Sequence, residues 1–154
     1  MEMFRLEPEV AGEIGENSKI KYEGGMLSEV EFLHYEFAGW LGDEILTSHP
    51  CFIVSENIVD DILKSNLKGY RFEDIEISTS DEFKEMYPNR DIPNFKRLIP
   101  LGKVIVSDEK IIQCSGDDFC LEDNVELVVS HNALEILRRH KMEYCEITPL
   151  SCEV

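Results

Sequence analysis

Apolar residues fall along the chain in short, partly alternating runs that suit strands, broken by a few segments with helical spacing. Two stretches repeat. Phe52-Ile53-Val54-Ser55 runs into Glu56-Asn57-Ile58-Val59-Asp60-Asp61-Ile62-Leu63-Lys64, and Leu127-Val128-Val129-Ser130 runs into His131-Asn132-Ala133-Leu134-Glu135-Ile136-Leu137-Arg138-Arg139. The string Val-Ser-x-Asn occupies 54–57 and again 129–132, and the apolar positions 59, 62 and 67 match 134, 137 and 142. Each unit reads as a buried strand, a serine N-cap and a helix of about three turns. Ile58, Val59, Ile62 and Leu63 form one apolar stripe, and Ala133, Leu134, Ile136 and Leu137 the other. A strand follows each helix, Tyr70-Arg71-Phe72 toward Ile75-Glu76-Ile77 in one unit and Tyr144-Cys145-Glu146-Ile147 in the other. A duplication and one local solution reached twice both fit this pattern.

The remainder is strand-rich. Met3 to Leu6 and Lys19 to Tyr22 are expected strands, the second ended by Gly24-Gly25, and Glu31 to Phe37 is a third. Gly12-Glu13-Ile14-Gly15 reads as a turn. Thr79-Ser80-Asp81-Glu82 supplies a capping box for a short helix through Met86. Arg97-Leu98-Ile99 and Lys103-Val104-Ile105-Val106, joined by Pro100-Leu101-Gly102, predict a hairpin that Lys110 to Cys114 extends. Residues 115–124 are expected to be an exposed loop. The class is therefore α+β: a single domain over 1–154 with a mixed or antiparallel sheet and three or four short helices.

Composition narrows the partners. Thirty-two acidic against fifteen basic side chains give a formal charge of -17, which repels nucleic-acid phosphates and anionic lipid and attracts basic proteins. No run approaches the roughly 18 apolar residues of a membrane span, and the N-terminal residues lack a signal-peptide pattern, so a cytoplasmic protein is expected. Cys51, Cys114, Cys120, Cys145 and Cys152 are odd in number and contain no Cys-x-x-Cys, so packing thiols are expected and no metal or other cofactor.

The search for catalytic chemistry finds little. The chain lacks a zinc-protease helix motif, a phosphate-cradling loop and a nucleophile elbow. His34 beside Glu36 is one candidate acid–base pair, with a strand histidine bonded to its neighbours as the structural alternative. The most distinctive text is Leu33 to Leu46, where Trp40 lies between Gly39 and Gly42 and anchors a turn. Asp43 there is placed to cap a short helix through Leu46, and Glu36, Asp43 and Glu44 form a candidate docking rim.

This segment, together with Cys51 to Glu56, Tyr87-Pro88-Asn89-Arg90 and Leu127 to Ser130, resembles bacterial immunity proteins of polymorphic toxin systems, in particular a small acidic α+β family. The similarity runs over residues 30–148 and rests on packing motifs. It implies stoichiometric neutralisation of a cognate toxin without catalysis. A basic toxin surface, as in a nuclease, would meet the acidic stretches Glu73, Asp74, Glu76, Asp81, Glu82 and Glu85, and Asp117, Asp118, Glu122, Asp123 and Glu126. A small hydrolase or modifying enzyme using His34 and Glu36, and a non-inhibitory acidic binding module, are the alternatives.

Overall fold

The computed structural model of the chain describes residues 2–152. Its first half runs β1 (Met3–Glu7), β2 (Glu9–Val10), β3 (Gly12–Ile14), β4 (Lys19–Glu23), β5 (Met26–Phe32), β6 (His34–Phe37), β7 (Ile45–Ser48), β8 (Cys51–Ser55), α1 (Glu56–Leu63), β9 (Tyr70–Glu73) and β10 (Glu76–Thr79). Helix α2 (Asp81–Met86) leads to the second half: β11 (Phe95–Pro100), β12 (Gly102–Ser107), β13 (Lys110–Cys114), β14 (Phe119–Glu122), β15 (Glu126–Ser130), α3 (His131–Leu137) and β16 (Glu146–Cys152). All three helices start as local chemistry dictates. Ser55, Ser80 and Ser130 stand in extended backbone and accept the amides of Ile58, Phe83 and Ala133, so each satisfies one of the donors a first helical turn leaves open.

The α+β class with three helices is as expected, but the sheet is not one sheet. The strands β1-β15-β14-β12-β13-β16 close into a barrel. The others form a five-stranded sheet, β2-β7-β8-β11-β9, a three-stranded sheet, β10-β6-β3, and the hairpin β4-β5. Chain continuity through Ala11 joins β2 to β3, and Asp74-Ile75 joins β9 to β10. With those joins the two sheets follow the barrel's own order, a split version of the same ring.

Each pairing has a counterpart. The antiparallel hairpin β7–β8 matches β14–β15, and β2 lies parallel to β7 as β12 does to β14. The parallel pair β10–β6 matches β16–β13. The opening strands are exchanged: β1 inserts between β15 and β16, and β11 between β8 and β9. Each half therefore completes the other's sheet. The halves differ where β4–β5 stands between β3 and β6, since the corresponding β12–β13 connection is only Asp108-Glu109, with both φ positive.

Strand β8 explains the continuous apolar runs. Phe52 and Val54 face a core shared by α1, α3, Leu6, Leu98, Leu127 and Val129, whereas Cys51 and Ile53 face a second core around Tyr35, Phe37, Trp40, Phe83 and Phe95. Period-two alternation with both faces covered makes every position apolar. β15 repeats this, with Val128 turned into a third core beside Met3, Val104 and Leu150 inside the barrel. The helical stripes are narrower than expected, because Leu63 is 60% exposed and α1 and α3 span only eight and seven residues.

Several expectations are corrected. Arg97–Ile99 and Lys103–Val106 form no hairpin: β11 and β12 run into different sheets with only Leu101 between them, and the Leu101 amide bonds to the Gly69 carbonyl. Residues 115–124 are not wholly loop, since β14 carries Phe119 and Cys120, both fully buried. Gly12-Glu13-Ile14 is a strand, and Gly12 is needed there because a Cβ would lie 2.0 Å from the Glu36 carbonyl oxygen. Glu31–Phe37 is divided between β5 and β6 at Leu33. Ile45-Leu46 is strand β7, so Asp43 caps no helix.

Candidate functional site

Two acids expected to face a partner, Glu44 on the docking rim and Asp118 in an acidic stretch, hold the halves together instead. Glu44 accepts the Ser55 hydroxyl at 2.8 Å and the Lys141 amide at 3.1 Å, while its own amide donates to the Lys141 carbonyl at 2.7 Å. Asp118 does the same in the other half: it accepts the Ser130 hydroxyl at 2.6 Å and the Lys68 amide at 2.8 Å, and its amide donates to the Lys68 carbonyl at 3.0 Å. Each acid braces the serine cap of its own helix and clasps the chain leaving the other half's helix. Burial raises the Glu44 pKa, but bonds from the Lys141 amide and Ser55, with His140 nearby, outweigh it and leave it below the usual range.

Asp43 is the clearest correction to the docking set. Its carboxylate is fully buried and accepts the amides of Glu143 at 3.0 Å and Tyr144 at 2.8 Å. Glu122 is also buried, in a two-pronged bond to the Arg5 guanidinium at 2.9 and 3.0 Å that raises the Arg5 pKa. Neither presents a free charge. Asp117 accepts the Ser115 hydroxyl at 2.7 Å, Glu73 lies 3.8 Å from Arg97, Asp74 pairs with Lys96 at 2.6 Å, and Glu76 accepts from the Asn17 side chain at 2.8 Å. Among the described residues, Glu36, Asp81, Glu82, Glu85 and Asp123 have no basic group within 4.0 Å.

His34 is buried, with its Nδ1 accepting the Asn17 amide at 3.2 Å and its Nε2 2.6 Å from the Ser78 hydroxyl. An amide hydrogen on Nδ1 places the neutral ring's own hydrogen on Nε2, which then donates to Ser78. The ring so bonded offers Ser78 no acceptor nitrogen, which a general base requires. Gly15 packs flat on it: a Cβ there would lie 2.2 Å from Nδ1.

The Trp40 turn is pinned from every side. The indole nitrogen donates to the Asp43 carbonyl at 2.9 Å, Arg90 donates to the Trp40 carbonyl at 2.8 Å, and the Arg90 guanidinium stacks 4.5 Å above the indole and 5.1 Å from the Tyr87 ring. Trp40 is 8% exposed, so it anchors the turn as expected. Its neighbour Leu41 is turned out, 53% exposed, with its amide bound to the Glu9 carboxylate at 2.7 Å.

An open groove of about 550 Å³ lies beside this turn, formed by β2, β3, residues 38–41 and the end of α2. Val10, Leu41 and Met86 are 69, 53 and 59% exposed along it, three large apolar side chains gathered in one place. Glu9 lies in its wall and is 7% exposed. Burial pushes its pKa up, against bonds from the Leu41 and Asp43 amides, and its Oε1 is buried without a hydrogen bond among the described residues. Glu13 lines the groove and stands directly opposite Glu36 across the β3–β6 pair. Like charges facing across strands repel, and no described lysine, arginine or histidine offsets this pair.

Sequence reasoning missed Glu9, Glu13, Val10 and Met86. The only signal was a carboxylate at position 9 amid apolar neighbours. Compared with protein families, curated proteins and solved structures, the chain matches none.

Proposed function

We propose that this protein is an immunity-type inhibitor that binds a basic toxin domain stoichiometrically and blocks it without bond-making. The observation that carries the reading is the groove itself: exposed Val10, Leu41 and Met86 together with Glu13, which faces Glu36 across the strand pair, beside a turn already fixed by Trp40. Apolar side chains held out of the core in one patch suit a protein partner, and unpaired carboxylates around them select a cationic one. A charge of -17 speeds capture of such a partner by steering over roughly 8 Å at physiological salt. The His34 geometry favours binding over the hydrolase alternative, because both ring nitrogens serve the fold.

The test is co-expression with the toxin encoded by the adjacent gene, followed by calorimetry with the purified toxin domain. Rescue of growth with a one-to-one complex is expected. A toxin domain that stays unbound at micromolar concentration overturns the proposal. Binding without loss of toxin activity favours the non-inhibitory acidic module instead.

A further inference from the structure

The groove's chemistry specifies more of its occupant than its charge. We propose that it receives a partner segment in which an apolar side chain adjoins an arginine or lysine, the apolar group seated among Val10, Leu41 and Met86 and the cation lodged between Glu13 and Glu36. The segment's identity as part of a toxin rests on the function proposed above.

Three observations support this occupant. Among the described residues of the same half, several surface carboxylates have a basic partner: Glu31 with Lys21 at 2.9 Å, Asp74 with Lys96 at 2.6 Å, Glu73 with Arg97 at 3.8 Å. Glu13 and Glu36 have none, though they form a directly opposed pair whose Cβ atoms in such a register stand about 4.5–5.5 Å apart. One guanidinium or ammonium between two carboxylates at that spacing turns mutual repulsion into two charge-assisted bonds. Second, the exposed acids Asp81, Glu82 and Glu85 occupy the helix whose end, Met86-Tyr87, forms one groove wall, so the approach is acidic as well.

Third, the receiving surface is rigid. Ala38 and Gly39 donate to the Ala11 carbonyl, Leu41 to Glu9, and Lys141 to the Leu41 carbonyl, so little loop entropy is lost on docking. The groove also uses a part that the repeated framework does not require, since residues 38–44 replace the shorter connection 115–118.

Two ligands test the proposal: the adjacent-gene toxin domain, and a synthetic peptide Gly-Leu-Arg-Leu-Gly with its Gly-Leu-Glu-Leu-Gly control. Calorimetry with the toxin compares the native chain, Leu41→Ala and the double change Glu13→Gln with Glu36→Gln. These side chains lie at the surface or are half-buried, and circular dichroism verifies folding. Amide NMR follows the peptides, whose arginine form is expected to shift Val10, Glu13 and Leu41 and whose control is not. Each protein variant is expected to weaken toxin binding about tenfold or more. Toxin affinity unchanged in both variants overturns the groove while leaving the inhibitor reading intact. An unbound toxin with peptide shifts confined to the groove overturns the inhibitor reading and upholds the groove. No response to toxin or arginine peptide overturns both.

Discussion

Replacing Asp43 by alanine tests whether this acid serves the fold rather than a partner. The side chain is fully buried and receives two backbone amides, Glu143 at 3.0 Å and Tyr144 at 2.8 Å, from a segment about a hundred residues further along the chain. Alanine leaves both donors without a partner, at about 1–3 kcal/mol each when buried. Both bonds are only part-buried, so water reaches the vacated site in part and the lower end applies. A loss of about 2 kcal/mol is expected. With a urea m-value of about 2 kcal/mol/M, the unfolding midpoint falls by roughly 1 M. Asparagine keeps one acceptor oxygen and is expected to lose less than alanine. The exposed Glu85→Ala serves as control and is expected to stay within about 0.5 kcal/mol of the native chain. An Asp43→Ala midpoint indistinguishable from that of the control refutes the structural role assigned to this carboxylate.

Three further outcomes follow from the same structure. The lowered pKa of Glu44 means that its contribution is present above the unfolded carboxylate value near 4.5 and is lost as pH falls through the folded value, so Glu44→Gln should lower stability at pH 7 and flatten the acid limb in pH-dependent urea melts. The Glu7 pKa is raised, first by its hydrogen bond with Glu146 and then by burial and repulsion, so the folded chain loses stability as pH rises through that value; Glu146→Gln should raise the thermal midpoint at pH 7 and lose this advantage at pH 3. Burial pushes the Cys120 and Cys145 thiols up to about 12 and raises Cys51 as well, whereas Cys152 is exposed; a thiol reagent on the native protein at pH 7.5 should modify Cys152 far faster than these three, as peptide mapping would show.

Part of the site was legible before the fold. Gly39-Trp40-Leu41-Gly42 announced a turn anchored by an indole, and the structure keeps Trp40 in that place, with Gly42 at φ 110. The acids around it were misassigned for a physical reason. A carboxylate in a polar stretch looks the same in sequence whether it meets water or a backbone amide, and Glu44, Asp43 and Asp118 meet amides at separations of 97, 101 and 50 residues. Glu13 and Glu36 became a pair only when β3 was laid antiparallel to β6.

The amino-acid sequence alone determined what short-range forces decide: three serine-capped helix starts, the apolar stripes of α1 and α3, most strand positions and an acidic surface. Each depends on side chains a few positions apart, where propensity and capping act without tertiary help. The tertiary structure decided the rest. The exchange of β1 and β11 between halves, the closed barrel and the groove beside Trp40 all depend on which strand edge finds which. Strand edges offer nearly the same backbone donors and acceptors everywhere, so only burying a whole core selects among the pairings.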